Sequence, residues 1–529
     1  MKKGKQSFIK GAFILSLSGI ICKILGAVYR IPLSNILGTE GMGCYQMAYP
    51  VYSMLVMAST AGIPVAVSKL VAEKLSDKDE CGAHDVFRTA NASLFIIGMI
   101  CSILLFAFSD IIARLMGLPG ASIALKLIAP SLVFVAMVSG YRGYMQGRMM
   151  MGATAVSQLA EQVSRLFAGL LFASAMISMG SEYGAGGAMI GVTISEIAGF
   201  LVMAIYYRLK KYNRLSDSCY KRESRIKLLK KIYKIALPVT IGACAVSLVS
   251  AIDSAMIMRI LEGLGYSEAR ASASYGLLTG FVQPIVNMPA VLSGAVAISI
   301  VPAVAASCAR KNASSLSYQS TLGFRLSMIL SLPCAVGMFV LARPLLTLLY
   351  SSLDGTELDM AVYLLRLLSP SVIMLGVSQL CSGVLQGCGR TVMPVLSMAL
   401  GAMLKIFIGL WLIKIPEINI TGAAIGTLLC FGVSALIDLA LCKKYSGMRI
   451  DIRDCLLSPL IASLGMGVVI FIVDGYVKGA TGTLLSILAG VFVYAIILIA
   501  VGGLRPEDMK YIPKGQKLGE LLTRLHIWR

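Results

Sequence analysis

Charge is what this sequence has least of: Asp, Glu, Lys and Arg make up 14% of its residues, against roughly 25% in an ordinary soluble domain. With 57% hydrophobic residues over 529 positions and a mean hydropathy of +0.83, the chain has far more apolar surface than a soluble core can hide, which excludes a soluble enzyme. Histidine is nearly absent, with His84 and His526 only, and the 13 cysteines are scattered without a CxxC pair. A structural zinc site is therefore excluded, and Cys22, Cys101, Cys244 and Cys430, which lie inside apolar runs, read as small hydrophobes. No Walker A sequence occurs, so no cofactor is expected and transport would draw on membrane potential, a proton or sodium rather than ATP.

What the sequence has in abundance is apolar runs. Fourteen of them follow one another from 8–37 to 482–503, each close to the roughly 20 residues that cross a bilayer as a helix. The predicted fold is all-α and integral to the membrane, with about 14 transmembrane helices. The Met-Lys-Lys start opens a run that continues past Lys23 and Arg30 without a small-residue cleavage site, so it reads as a first span and not a leader. The formal charge of +21 sits mainly in alternate short loops. Arg208 to Lys234 holds eleven Lys or Arg against Asp217 and Glu223, while the other loops carry acids such as Asp110, Glu182, Glu268 and Asp354. That asymmetry predicts a multi-pass membrane protein with both termini cytoplasmic, and it assigns the basic residues to lipid headgroups, with no nucleic-acid partner. Tyr220 to Tyr233 (Ile226, Leu229, Tyr233) and the tail (Leu518, Leu521, Leu522, Leu525, Trp528) each carry an apolar stripe among bases, as headgroup-layer helices do.

Sliding the chain against itself by 240 positions exposes a repeat. Ala121, Leu125, Lys126, Leu127, Pro130 and Ser131 meet Ala361, Leu365, Arg366, Leu367, Pro370 and Ser371; GYMQG at 143–147 meets GVLQG at 383–387 in its Gly, Gln and Gly; Arg165, Phe167 and Gly169 meet Lys405, Phe407 and Gly409. After a loop five residues shorter, Gly187 and Gly191 meet Gly422 and Gly426. Spans four to six thus match spans ten to twelve in the same orientation, the parallel repeat from which alternating-access transporters are built. The expected organisation is a six-helix lobe at 1–208, a basic cytoplasmic linker at 209–234, a second six-helix lobe at 235–444, an extra helix pair at 454–503, and a cytoplasmic amphipathic tail at 504–529.

A charge at the centre of a span costs roughly 2.5 to 3.5 kcal/mol on insertion scales and normally faces a wet cavity or a partner. Lys23 and Arg30 lie seven residues apart in span one, two turns on one helix face. Arg165 and Lys405 are equivalent in spans five and eleven. These four are the candidate substrate-binding residues, suited to a phosphate or diphosphate, with Lys405 expected across the lobe interface from span one. Glu161 lies four residues before Arg165 and can pair with it, and Asp253 in span seven reads as a partner for a cavity cation or a coupling ion. These two are the candidate coupling or gating residues. The plain alternative for each base is a side chain that snorkels to the headgroups.

The stretches GIICKILGAVYRIPLSNILGTEGMGCYQMAYP, STAGIPVAVSKLVAEK and RGYMQGRMMMGATAVSQLAEQVSR, with the span-seven segment around Asp253, resemble the stage V sporulation protein B and YtgP-like, MurJ-related proteins of the multidrug/oligosaccharidyl-lipid/polysaccharide superfamily. The resemblance implies two lobes in a V, a final helix pair that forms a groove for a polyprenyl tail, and transport of a lipid-linked sugar. Lys23 stands where the MurJ-type branch has the first arginine of its span-one motif, and Arg30 falls one position from the second. That branch also has basic residues in spans two and eight, where Pro50, Val56 and the Gln283 to Pro289 stretch offer none, so the anion site is composed differently here. An acidic residue in span seven belongs to a sodium site in some relatives, and Asp253 fits it, but span eleven supplies Lys405 and no carboxylate.

The expected function is a flippase for a polyprenyl-diphosphate-linked sugar, foremost the peptidoglycan precursor lipid II, with lipid-linked substrate, membrane lipids and cell-wall synthesis proteins as partners. Three alternatives stand beside it. Another surface-polysaccharide unit would use the same chemistry; a cation-coupled multidrug exporter would favour acids and aromatics over the bases and two tryptophans found here; a membrane-embedded glycosyltransferase would need reactive carboxylates on a sizeable outer loop.

Overall fold

The computed structural model describes residues 2–210 and 223–503, without the side chains of 2–16, 238, 241, 242, 245, 246 and 410. Every regular element among them is helical. In lipid this follows from backbone accounting, since a helix satisfies its own N–H and C=O groups where water cannot. The chain packs as two units, Met1–Gly280 and Phe281–Arg529.

The first unit holds α1 (Lys2–Thr60), α2 (Ile63–Ser76), α3 (Glu80–Leu115), α4 (Ala121–Ile128), α5 (Ser131–Gly147), α6 (Met151–Met176), α7 (Ser181–Leu209), α8 (Arg225–Gly263) and α9 (Glu268–Gly276). A π-helical turn, Leu277–Val282, follows α9. The second unit holds α10 (Gln283–Ala309), α11 (Ala313–Val340), α12 (Ala342–Leu349), α13 (Gly355–Leu368), α14 (Ser371–Gly387), α15 (Met393–Ile413), α16 (Ile420–Ser446), α17 (Ser458–Tyr476) and α18 (Ala480–Ala500). This packing division falls later than the repeat boundary read from sequence, because α8 and α9 lie directly on the first unit. A Cβ at Gly62 would strike the Ala236 backbone, and one at Gly276 would strike that of Thr39.

Among the described residues, ten helices are long and apolar enough to cross a membrane, or twelve if the bent pairs α4–α5 (41°) and α13–α14 (43°) each count as one span. The expected fourteen is not reached by that count. Expected spans one and two run together as Leu17–Ser76, with the turn between them absorbed at Gly38, whose φ of 64° only glycine adopts at little cost. Expected span seven falls in α8, where several side chains lie outside the description.

The repeat is visible in how helices touch. Gly143 and Gly147 let α5 settle on α2, with Pro64 O at 2.9 Å and Ser68 O at 2.8 Å from where their Cβ atoms would be. Gly383 and Gly387 seat α14 on α10 in the same way, against Ala297 O at 3.0 Å and Val304 Cγ1 at 2.8 Å. Small residues four apart are the usual means of close helix approach in membranes. Likewise Gly187 and Gly191 press on Phe172 and Gly169, and Gly422 and Gly426 on Leu412 and Gly409, each neighbour the 240-offset counterpart of the other.

The basic segment before α8 packs differently from its expected headgroup helix. Its buried stripe is Leu228, Ile232 and Ala236, which join a core with Val71, Phe87, Tyr144 and Tyr207, while Ile226 faces outward. These residues form the first turns of α8 itself, and the stripe packs on α2 and α3. The amphipathic tail and the linker segment 211–222 lie outside the described residues.

Candidate functional site

The intramembrane charges of the first unit form two levels. At one level Arg142 of α5 donates from Nη2 to Ser157 Oγ at 2.9 Å and to Glu161 Oε1 in a short ion pair. Ser157 passes its own proton to the carbonyl of Gly199 at 3.3 Å. Gly199 is required there, because a Cβ would collide with the Glu161 carboxylate. Glu161 is buried and Arg142 half-buried.

One turn further along α6, Arg165 donates from Nη2 to Glu196 Oε1 of α7 at 3.2 Å and from Nε to Ser195 Oγ at 3.4 Å. Tyr45, Tyr49 and Tyr52 of α1 are electrostatic neighbours of its guanidinium. Their rings stack, Tyr45 with Tyr49 at 6.2 Å and Tyr49 edge-on to Tyr52 at 6.1 Å. The expected Glu161–Arg165 pair within one helix is thus replaced by two pairs between helices. The neighbouring helices supply Arg142 to Glu161 and Glu196 to Arg165, so that two acids face two bases. Glu196 keeps one buried oxygen, Oε2, without a hydrogen bond.

Span one is different. Arg30 is half-buried and donates from Nη2 to the Thr279 carbonyl in the π turn at 3.1 Å, a carbonyl that Gln46 Nε2 also reaches at 2.5 Å. Its Nε is buried with no acceptor, and among the described residues it forms no ion pair. The π turn widens the helix locally and turns out a carbonyl able to hold the guanidinium, a feature often found at functional sites. Lys23, two turns earlier, is exposed and has no ion pair among the described residues. Span one thus holds two bases without an ion pair among the described residues, while Arg142 and Arg165 have matched acids.

Asp253 is half-buried on α8, next to Ser254, whose Oγ lies 2.6 Å from Tyr275 Oη. Both Asp253 and Arg30 lie in the electrostatic surroundings of Tyr275, so the structure gathers Lys23, Arg30, Arg165, Glu161 and Asp253 in one unit. Lys405 belongs to the second unit, half-buried on α15, its carbonyl 3.2 Å from where a Gly426 Cβ would be.

Three charged residues escaped the sequence reading: Arg142, Glu196 and Asp438. Each is a charge inside an apolar run, the criterion that found the others. Asp438 of α16 is buried and accepts from Ser378 Oγ of α14 at 2.7 Å and from Ser397 Oγ of α15 in a shorter contact. Among the described residues, no group of three His, Cys, Asp or Glu side chains could hold a metal.

Residues 8–308 match the polysaccharide biosynthesis protein family. The chain belongs to that family. Residues 238–411 also match the MatE family. Relatives from Bacillus subtilis span nearly the full length of both chains: stage V sporulation protein B is 24% identical over 98% of this chain and 100% of its own, and the lipid II flippase MurJ is 26% identical over 98% and 96%. Among solved structures, the fold resembles a lipid II flippase MurJ in an inward closed conformation (TM-score 0.69, 18% identity, 92% of this chain and 98% of that one). It also resembles an inward-facing MATE transporter of the MOP superfamily (TM-score 0.64, 16% identity, 82% and 98%). The chain is a multi-pass membrane protein of the MOP superfamily, whose members are flippases and transporters.

Proposed function

We propose that this protein is a flippase that moves a polyprenyl-diphosphate-linked sugar, foremost lipid II, across the bacterial cytoplasmic membrane by alternating access. The observation that carries the reading is the cationic face of span one, whose two bases have no ion pair among the described residues. Lys23 and Arg30 sit about 10 Å apart along one helix at 1.5 Å per residue, one exposed and one held by a neutral carbonyl. Bases in that condition are available to an anion, whereas Arg165 is already matched by Glu196. The full-length similarity to a lipid II flippase supports the substrate class.

In the proposed cycle the diphosphate docks on Lys23 and Arg30, and the Arg142–Glu161 and Arg165–Glu196 pairs hold α5, α6 and α7 as one rigid wall behind them. Lys405 is the candidate base of the second repeat. Asp253 is the candidate coupling group, with membrane potential, a proton or sodium as the drive. Both termini are placed in the cytoplasm, and cell-wall synthesis proteins are the expected protein partners.

Depletion in the native cell tests the reading: a lipid-linked precursor should accumulate unexposed at the outer face, and its chemistry would separate lipid II from another surface-polysaccharide unit. The orientation is checked by Lys311→Cys, in the exposed turn between α10 and α11. Labelling of that cysteine by an impermeant thiol reagent from outside intact cells would overturn it. The MatE match over 238–411 favours multidrug export as a second reading; it requires that depletion sensitise cells to cationic drugs with lipid precursors undisturbed.

A further inference from the structure

The two repeats set equivalent serines, Ser157 and Ser397, against different side-chain partners. In the first, Ser157 accepts a proton from Arg142 and donates its own to the Gly199 carbonyl. In the second, the equivalent Ser397 lies 3.0 Å from the Pro394 carbonyl and in contact with Asp438 Oδ1. Ser397 has one proton for two acceptors. The count closes if Asp438 itself is the donor, so that Ser397 again accepts from the neighbouring helix and again gives its proton to a backbone carbonyl.

Compensation points the same way. Glu161 of the first repeat is replaced by Gly401 in the second, and Gly199 by Ser434, whose Oγ fills the space above Gly401. Arg142 is replaced by Ser382. The ion pair is gone, and Asp438 enters at the position of the apolar Met203. It is 1% exposed. The charged and titratable groups on the helices packed against α16 are Tyr318, Arg325 and Cys334 on α11, Glu357, Asp359, Tyr363 and Arg366 on α13, Cys381 on α14, and Lys405 on α15, with Lys414 directly after α15. Among the described residues none of them forms an ion pair with Asp438. Lys405 is eight residues beyond Ser397, about 12 Å along the helix. The titratable groups interacting with Asp438 are the thiols of Cys381 and, on its own helix, Cys442. An isolated carboxylate in hydrocarbon is costly enough that a buried acid without a cation takes up a proton instead.

We propose that Asp438 is a proton-binding site of the second repeat, holding a carboxyl proton where the first repeat holds the Arg142–Glu161 ion pair. Proton binding turns COO⁻ into COOH with no other bond changed. The O–H on Oδ1 donates a hydrogen bond to Ser397 Oγ, and Oδ2 accepts one from Ser378. Release of the proton leaves an uncompensated charge between α14, α15 and α16, so this corner of the second repeat responds to proton activity. The site stands independently of which substrate the protein carries.

Infrared spectroscopy of the full-length protein in lipid nanodiscs tests the assignment. At neutral pH in potassium buffer, wild type should show a protonated-carboxyl C=O band that moves in D2O and is missing from Asp438→Asn, an isostere of the neutral acid. Ser378→Ala removes the donor to Oδ2 and should shift the band without abolishing it, which keeps the test open if Asp438→Asn fails to fold. Matching wild-type and Asp438→Asn spectra, or a band untouched by Ser378→Ala, would overturn the proposal. A band that disappears when sodium replaces potassium would assign the carboxylate to an alkali cation and overturn it equally.

Discussion

The first repeat, α4 to α7, and the second, α13 to α16, keep the same backbone contacts and exchange their electrostatics. Glycines that let helices touch recur in both: Gly143 and Gly147 with Gly383 and Gly387, and Gly187 and Gly191 with Gly422 and Gly426. The buried ion pairs do not recur. The first repeat buries two ion pairs, Arg142–Glu161 and Arg165–Glu196, whereas the second buries Asp438 between serines and keeps Lys405 half-buried. Helix packing fixes the architecture through small residues, and the polar network can then diverge inside it.

The largest effect should come from breaking the buried pair that only one repeat has. Arg142→Leu leaves Glu161 uncompensated, and losing one partner of a buried ion pair typically costs about 3 to 5 kcal/mol. Thermal unfolding in detergent should show a large loss, and Arg142→Leu with Glu161→Leu should recover much of it. The same measurement on Ser382→Ala, at the equivalent place in the second repeat, should show little change. Equal losses at 142 and 382 would mean that the repeats do not differ as described.

A smaller effect separates two equivalent glycines. A Cβ at Gly191 would overlap the backbone of Gly169, which cannot yield, while one at Gly426 would stand 3.2 Å from Lys405 O and 3.3 Å from its flexible Cγ. Gly191→Ala should therefore cost about 1 to 3 kcal/mol by overpacking, and Gly426→Ala clearly less, read as the difference between their melting temperatures. A Gly426→Ala loss as large as that of Gly191→Ala would count against tighter packing in the first repeat.

The smallest contrast lies at two helix caps in loops. Asp79 caps α3 by accepting from the Gly82 N–H at 2.7 Å, and Asn312 caps α11 by accepting from Ser315 N–H at 3.0 Å. The Gly82 N–H, helped by Lys74, holds the Asp79 carboxyl below its ordinary range. A folded value below the unfolded one means that the cap stabilises above the ordinary carboxylate range and is lost as pH falls through the folded value. Acid should speed hydrogen exchange at the start of α3 and leave the start of α11 alone; Asp79→Asn should remove the pH dependence, and Asp79→Ala should cost about 1 kcal/mol.

The spans and the repeat were legible in the sequence because both depend on local composition: apolar length sets a span, and the 240-residue spacing, five less after the shorter loop, pairs the glycines. The kink at Gly38 was not, since a helix that turns without a polar loop leaves no break in hydropathy. The pairing of charges was legible only in part. Spacing along α6 put Glu161 beside Arg165, but their strongest partners come from α5 and α7, and partner choice between helices is decided by packing that no single-helix pattern records. Asp438 was passed over for the same reason, because its serine partners lie on two other helices and carry no charge to mark them.

The central claim, that span one presents the free anion-binding charge, is tested most directly by the affinity of purified protein for a polyprenyl diphosphate. Charge-assisted contacts are worth about 1.5 to 3 kcal/mol each, so Lys23→Ala with Arg30→Ala should weaken binding by about 100-fold or more at 1.4 kcal/mol per factor of ten. Arg165→Lys, which keeps the charge beside Glu196, should bind nearly as wild type does. Undiminished affinity in the Lys23→Ala, Arg30→Ala variant would contradict the account and place the anion elsewhere.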